Sequence, residues 1–519
     1  MQMPSMPISH EIGRRTRRSL WARAAAATCL GLCLAAAGCL VGPDFQPPQS
    51  KVPDHWSAAA DQGKAKVSPQ DVDLARWWSV FHDPVLVSLE QQALAANLDL
   101  QVAQARLRQA RAARGIAAGA LGPEVSLSGS YQRAHSSSLP NRTGASGGTE
   151  GDLYQAGFDA SWEIDVFGGR RRNLEAADAD VLAAQEARRQ VMVSLTAEVA
   201  RNYLDLRSLQ QRIIIARVNL EAQRHTARLT RQRQQAGFVS GLDAANAEAQ
   251  AYTTAARIPP LESSARQSMH SLALLLGREP AALLPLLSPP GAIPASPPTV
   301  PIGLPSELLR RRPDIRQAEA QVHAATARVG VATADLFPRF FLTGGAGYQS
   351  TGFNSWFDWA GRFWSIGPSM SWPIFASGAI RANIELKEAQ NQEALLAYRQ
   401  VVLNSLREVE DALVATTQEE IHRRELAAAV ASNQKAVELS KRLYDEGQVE
   451  FLNVLQAQAA LYLTQDALVS SNGAVGTNLV ALYKALGGGW QAETVPAPVA
   501  SSASTATLSS AAPSPRQMP

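Results

Sequence analysis

The amino-acid sequence predicts a mixed fold of long α helices and transmembrane β strands, built twice over in one chain. Three observations carry that prediction. The chain matches itself at a nearly fixed offset; two stretches longer than any globular core lack both Gly and Pro; and four segments alternate apolar with polar residues. Composition sets the outer bounds: 519 residues, 46% hydrophobic, 18% charged, formal net charge +3. No run of about 20 apolar residues follows the N-terminal segment, which excludes a polytopic helical membrane protein. Only three Cys occur, at 29, 33 and 39, which excludes a disulfide miniprotein.

Slid by 210 residues, the sequence places Trp162 on Trp372, Gly168 on Gly378, Arg171 on Arg381, Gly237 on Gly447 and Gly277 on Gly487 without a gap. Upstream the offset is 215: Gly115 falls on Gly330, Leu121 on Leu336, Pro123 on Pro338 and Gly129 on Gly344. The two offsets differ because the first half has the longer loop between Tyr131 and Trp162.

In chain order, residues 1–38 read as an export signal. Arg14, Arg15, Arg17, Arg18 and Arg23 precede the uncharged Ala24–Gly38, which is short for a membrane span. Ala36-Ala37-Gly38-Cys39 resembles a lipobox, with Ala36 where such boxes carry a larger aliphatic residue, so Cys39 is expected to hold a covalent lipid. Leu40 rather than Asp after that Cys favours sorting to the outer membrane. Residues 39–88 form an N-terminal extended, equatorial segment.

The first repeat, 89–277, is expected to open with a helix over about Leu89–Leu121, then strands at about 124–133 and 153–166. A long helix over 170–236, a turn at 237–241 and a shorter helix over about Leu242–Leu276 complete it. Pro259–Pro313 is Pro-dense, and 278–312 reads as an equatorial connector. The second repeat, 313–487, gives a helix over about Pro313–Leu336, strands at about 339–350 and 363–375, a long helix over 379–446, a turn at 447–450 and a helix over about Phe451–Leu486. Pro313 and Asp314 suit a first helical turn. The Ala/Ser/Pro/Thr-rich residues 488–519 form an equatorial or disordered tail.

The long helices set the architecture. Each would span about 100 Å at 1.5 Å per residue. Met192, Leu195, Val199, Tyr203 and Leu206 step by three and four, as do Val402, Leu406, Val409 and Leu413, giving the narrow stripe of coiled-coil packing. The shorter helices, stacked end to end with the first ones, match one long helix in length. Paired rods follow, one member continuous and the other broken.

The strands read as lipid-facing. Tyr154, Ala156, Phe158, Ala160, Trp162 and Ile164 alternate with Gln155, Gly157, Asp159, Ser161 and Glu163. Each segment is long enough to cross a bilayer when tilted. Phe353, Trp356, Phe357, Trp359, Phe363 and Trp364 crowd one loop as an interfacial girdle does; Trp162 and Trp372 join them as interface aromatics. Four strands cannot close a barrel, and an open edge in lipid leaves backbone groups unpaired, so the barrel must be shared between chains. Two copies give eight strands and three give twelve; the strands alone do not choose.

Several stretches then resemble one family: Cys39-Leu-Val-Gly-Pro-Asp, Trp77-Trp78 with Phe81-His-Asp-Pro84, Phe158–Asp165, Ala197–Tyr203, Leu304–Ile315, Gly367–Phe375 and Leu482–Trp490. The chain is similar over about Cys39–Trp490 to TolC/OprM-type outer-membrane efflux factors of the NodT lipoprotein group. The resemblance implies a TolC-like homotrimer whose 12-stranded barrel continues into a helical periplasmic tunnel with an equatorial collar. It also implies docking to a periplasmic membrane-fusion adaptor and an inner-membrane efflux pump, with the chain itself a passive duct.

In such relatives the Gly237 and Gly447 turns would be the tunnel's periplasmic tips, with acids six and nine positions after the second Gly. This chain has Asn453 and Gln456 there, with Asp243 and Asn246 at the matching first-half positions and Glu450 nearby. A ring of amides closes by neutral hydrogen bonds where ionised carboxylates repel, so the gate is expected to be less sensitive to divalent cations and pH.

Nothing in the sequence reads as an enzyme. The eight His are scattered without metal spacing, and Gly487-Gly488-Gly489 reads as a helix stop; no cofactor beyond the lipid is expected. Arg310-Arg311-Arg312 reads as a solvated helix approach and not as a nucleic-acid site. A type I secretion duct and an envelope-spacing lipoprotein are the alternatives; a spacer has no need of amphipathic strands. The basic charge belongs to the signal: residues 1–38 hold five Arg and one Glu, and their removal turns +3 into −1.

Overall fold

The computed structural model describes residues 40–57, 74–135, 150–295 and 305–491. The signal, Cys39, Pro297-Pro298 and nearly all of the tail lie outside these residues. Chain order is α1 (Pro84–Ala96), α2 (Leu98–Gly119), β1 (Glu124–His135), β2 (Glu150–Ile164), α3 (Gly169–Gln235), α4 (Gly241–Leu275), α5 (Leu284–Leu287), α6 (Pro305–Arg311), α7 (Pro313–Ala334), β3 (Arg339–Ser350), β4 (Arg362–Ser371), α8 (Ala379–Asp445) and α9 (Phe451–Ala485). No described helix is long and apolar enough to cross a membrane.

Both long helices are continuous over 67 residues and end alike. Gly237 and Gly447 adopt φ of +82° and +75°. The amide of Phe238 then reaches the Arg233 carbonyl at 2.9 Å, and that of Gln448 reaches Leu443 at 2.8 Å. These left-handed Gly caps satisfy carbonyls that the helix ends would leave open. Gly277 and Gly487 repeat the device where α4 and α9 stop.

The first helix is not continuous over Leu89–Leu121. It breaks at Asn97, whose ψ of 132° leaves the helical region. The Asn97 side chain accepts from the Leu100 amide at 2.9 Å, capping α2, and donates to the Leu275 carbonyl at the end of α4 at 2.9 Å. Arg312, one repeat on, donates to the Ala485 carbonyl at the end of α9 at 2.9 Å. The short helices are thus pinned end to end, as the broken rods require. Arg312 is buried and paired with Asp314 at 2.6 Å and Glu408 at 2.8 Å, so it is no part of a solvated arginine run. The Pro-dense bridge also starts later than Pro259: Pro259 and Pro260 lie inside α4. They remove two helix donors, and the helix persists because it packs along α3.

The main core sits where α1, α3, α4 and α9 meet, with Trp77, Trp78, Phe81, Leu86, Leu204, Leu206, Leu272 and Tyr483 buried. Asp83 caps α1 through the Val85 and Leu86 amides, at 2.8 and 3.1 Å, and its second oxygen accepts from the Tyr203 hydroxyl at 2.7 Å. Burial, reinforced by that bond, pushes the Tyr203 hydroxyl up to about 12. The Trp-Trp and Phe-His-Asp-Pro stretches are therefore structural.

Candidate functional site

The four strands form one antiparallel sheet in the order β1-β2-β3-β4. Its register aligns faces across all four. Leu127 lies opposite Phe158, Phe158 opposite Ala346, and Ala346 opposite Trp364. Following alternate residues, Val125, Leu127, Tyr154, Phe158, Trp162, Phe340, Leu342, Trp364, Ile366 and Met370 share one face. Ser126, Ser128, Asp159, Ser161, Glu163, Thr343, Ser365 and Ser369 share the other, with Phe341 and Phe363 among them. Most of the large apolar side chains are uncovered: Leu127, Phe158, Ile366, Trp364 and Met370 are all exposed. The polar face is tied together instead, Ser128 donating to Asp159 at 2.8 Å. An exposed apolar sheet face backed by a polar one is what a barrel wall presents to lipid and lumen.

Phe341 and Phe363 break the polar face, and the sequence pattern does not explain Phe363. A Cβ on Gly157 would meet the Phe363 ring at 3.2 Å, and one on Gly347 would strike the Ala156 carbonyl oxygen at 2.3 Å. The ring lies over a floor of glycines.

The five Trp residues occupy both ends of the sheet. At the helical end, the Trp162 indole donates to the Leu121 carbonyl at 2.8 Å, and Trp372 donates to Leu336 at 3.0 Å. Trp372 stands just past β4, which stops at Ser371 and not at 375; Pro373 follows it. At the other end, Trp356 stacks on Phe357 at 5.0 Å, and Trp359 lies under the Arg362 guanidinium at 4.2 Å. Trp364 is exposed on the apolar face of β4.

At the far ends of α3 and α8 lie the tip residues. Asp243 is engaged: its carboxylate accepts from the Ser240 amide and hydroxyl at 3.2 and 2.8 Å, closing a capping box. Glu450 caps α9 by position but makes no cap bond with its side chain. Val454 and Leu455 fill the seam against Ala227 and Ala247, while Asn453 and Gln456 stay exposed beside it. Asn246 is half-buried one turn into α4. Sequence reasoning missed Arg233 and Tyr444. The Arg233 guanidinium stands 5.4 Å over the Tyr444 ring, which packs on Phe451 at 5.3 Å, and so joins the two tips.

Leu40–Asp44 runs beside the helical end of β2. The Val41 amide donates to the Phe167 carbonyl at 3.2 Å. Buried Arg172 reaches the Val41 carbonyl at 3.2 Å and the Asp44 carboxylate at 2.6 Å. Gly42 has a φ of +87°, and a Cβ there would lie 2.4 Å from the Gly330 Cα. Position 39 itself is outside the described residues, one residue before this strap. Among the described residues no cluster of His, Cys, Asp and Glu has the arrangement of a metal site.

The family model for outer membrane efflux proteins matches residues 89–278 and 304–488. The chain is 36% identical over 449 residues to the pyoverdine export outer membrane protein OpmQ of Pseudomonas aeruginosa, covering 85% of this chain and 92% of that one. Nodulation protein T of Rhizobium leguminosarum bv. trifolii is 33% identical over 433 residues, covering 83% and 90%. Among solved structures, the outer-membrane channel OprN superposes with a TM-score of 0.82 at 38% identity, over 87% of this chain and all of that one. The open state of the Neisseria gonorrhoeae MtrE channel gives 0.74 at 28%, over 87% and 99%.

Proposed function

The chain belongs to the outer membrane efflux protein family, and from that premise we propose that copies of it close into a passive exit duct that an inner-membrane pump feeds through a periplasmic adaptor. Its fold is the TolC-like one of its structural neighbours, and its place is the outer membrane. The finer reading is a homotrimer: twelve strands enclose a lumen lined by the Ser- and Asp-bearing sheet face, and the paired rods continue it as a periplasmic tunnel. Cys39 carries the lipid, and the strap at Leu40–Asp44 holds that anchor beside the membrane end of β2. The girdle Trp residues sit at the two interfaces, and the Gly237 and Gly447 turns face the adaptor. No cofactor takes part, and the pump supplies the energy.

One observation carries the reading. Among the described residues the sheet has two unpaired edges, β1 and β4, and its apolar face exposes large side chains on β1, β2 and β4. In lipid the apolar face is stabilised, but each open edge costs several kcal/mol per unpaired group, so only a closed ring of copies is viable. Detergent-purified protein is expected to run as a trimer by light scattering and to conduct ions in a planar bilayer. A monodisperse monomer without conductance would sink the proposal.

A further inference from the structure

The polar face of the sheet holds one arrangement that a barrel wall does not require. Its register sets out cross-strand rows: Ser128, Gly157, Gly347 and Phe363 in one, and Ser126, Asp159, Gly345 and Ser365 in the next. Glycine stands inside both rows, and the side chains beside it lean in. The Phe363 ring crosses β3 and reaches β2, where a Cβ on Gly157 would meet it at 3.2 Å. A Cβ on Gly345 would lie 3.4 Å from an Asp159 carboxylate oxygen and 3.6 Å from the Ser365 hydroxyl. The rows are two residues apart along each strand, about 7 Å. The result is a shallow recess floored by backbone, with an aromatic ring on one side and a carboxylate on the other.

Backbone packing explains only part of this floor. Gly347 is fixed by the close approach of β2 and β3, since a Cβ there would strike the Ala156 carbonyl oxygen at 2.3 Å. Gly345 has room for an Ala, so the sheet does not demand its gap, and Gly weakens a strand interior. The charge is also uncompensated. Glu163 on the same face is paired with Arg170 at 2.7 Å. Asp159 accepts the Ser128 hydroxyl at 2.8 Å, and among the described residues no Lys or Arg pairs with it. An ionised carboxylate can accept about four hydrogen bonds. A π face beside such a carboxylate is the chemistry that holds an organic cation.

We propose that in the closed duct Phe363 and Asp159 form a luminal subsite for organic cations with an aromatic or alkyl body, repeated in every copy. This rests on the duct reading above, which puts the polar face on the lumen, and adds a class of solute that the wall itself favours. Covering the Gly157–Gly347 pair is a purely structural task for Phe363. Any large apolar side chain can do it, so Phe363→Leu separates that task from cation binding.

Ser365→Cys in the full-length protein places a reporter thiol at the recess. Labelling by methanethiosulfonates, followed by mass spectrometry, reads access to it; protein without this substitution controls for Cys39. The cationic trimethylammonium reagent is expected to outpace the anionic sulfonate reagent by about five-fold beyond their ratio on a free thiol, and Asp159→Asn to remove that excess. Benzyltrimethylammonium should protect the thiol at a concentration about three-fold lower than tetramethylammonium does. Phe363→Leu should abolish this difference and Phe363→Tyr should keep it. Equal protection by the two cations, a difference that survives Phe363→Leu, or a rate excess that survives Asp159→Asn would each overturn the subsite. If Phe363→Leu does not assemble, the Phe363→Tyr and Asp159→Asn results decide. Light scattering and bilayer conductance on the same preparations keep the two readings apart. A monomer without conductance refutes the duct, whereas a conducting oligomer without cation preference refutes the subsite alone.

Discussion

Asn97 and Arg312 hold equivalent places in the two repeats and perform one task with different chemistry. Each donates to the last carbonyl of the helix stacked on it, Leu275 and Ala485, at 2.9 Å in both cases. Asn97→Ala removes this bond and the cap on the Leu100 amide, a loss of about 2 kcal/mol from a cap and a hydrogen bond together. Arg312→Ala is expected to cost more, because Asp314 and Glu408 lose a buried partner. Denaturant unfolding followed by circular dichroism checks the order; equal losses would refute it.

Gly237 should resist replacement for a backbone reason alone. A Cβ there meets nothing within 4 Å, yet φ is +82°. Gly237→Ala is expected to destabilise the tip by about 1 kcal/mol. Gly241→Ala, at the first helical position of α4 with equally open surroundings and no positive φ, should be neutral or stabilising, since Ala loses less backbone entropy than Gly on entering a helix. Limited proteolysis at the tips distinguishes the two, and equal cleavage would contradict the assignment.

Glu90 gives the chain a pH dependence of known sign. It is fully buried, neither carboxylate oxygen has a partner among the described residues, and burial holds its carboxyl well above the usual range. The folded chain keeps a proton that the unfolded chain releases. That stabilisation is complete below the ordinary value of 4.5 and is lost as pH rises towards the folded value. Glu90→Gln should flatten the decline and raise thermal stability more at pH 8 than at pH 5. An identical pH profile in the variant would refute this.

The long helices and strands were legible because their signals are uninterrupted: Arg170–Ala236 has no breaker, and Tyr154–Ile164 alternates throughout. The break at Asn97 was not, because it lacks Gly or Pro and depends on a carbonyl 178 residues away. Pro259 and Pro260 misled in the opposite direction, since their cost is local and the packing against α3 that overrides it is tertiary. Arg312 reads as one of three surface arginines until the end of α9 is placed beside it. At the tip the spacing marked Asn453 and Gln456; Ser240 three residues before Asp243 carries the spacing of a capping box and makes that engagement legible, whereas nothing in the sequence shows that Arg233 reaches Tyr444.

The tip residues make the last prediction. In the proposed trimer the exposed amides of Asn453 and Gln456 form rings without fixed charge, and Asp243 is held in its capping box. A trivalent cation then finds no ring of carboxylates at those positions. Like charges 4 Å apart interact by about 1 kcal/mol in water and about 4 kcal/mol near a protein surface, so a ring of three carboxylates at each of the two positions would form a strong cation site. Hexamminecobalt on the periplasmic side is expected to block the wild-type channel weakly and the Asn453→Asp, Gln456→Asp double variant strongly. Glu450 stands at the α9 N-cap without a side-chain cap bond, so Glu450→Gln serves as the control. Strong block of the wild type that survives Glu450→Gln and is lost only when Asn453 or Gln456 is changed would sink the neutral-gate reading.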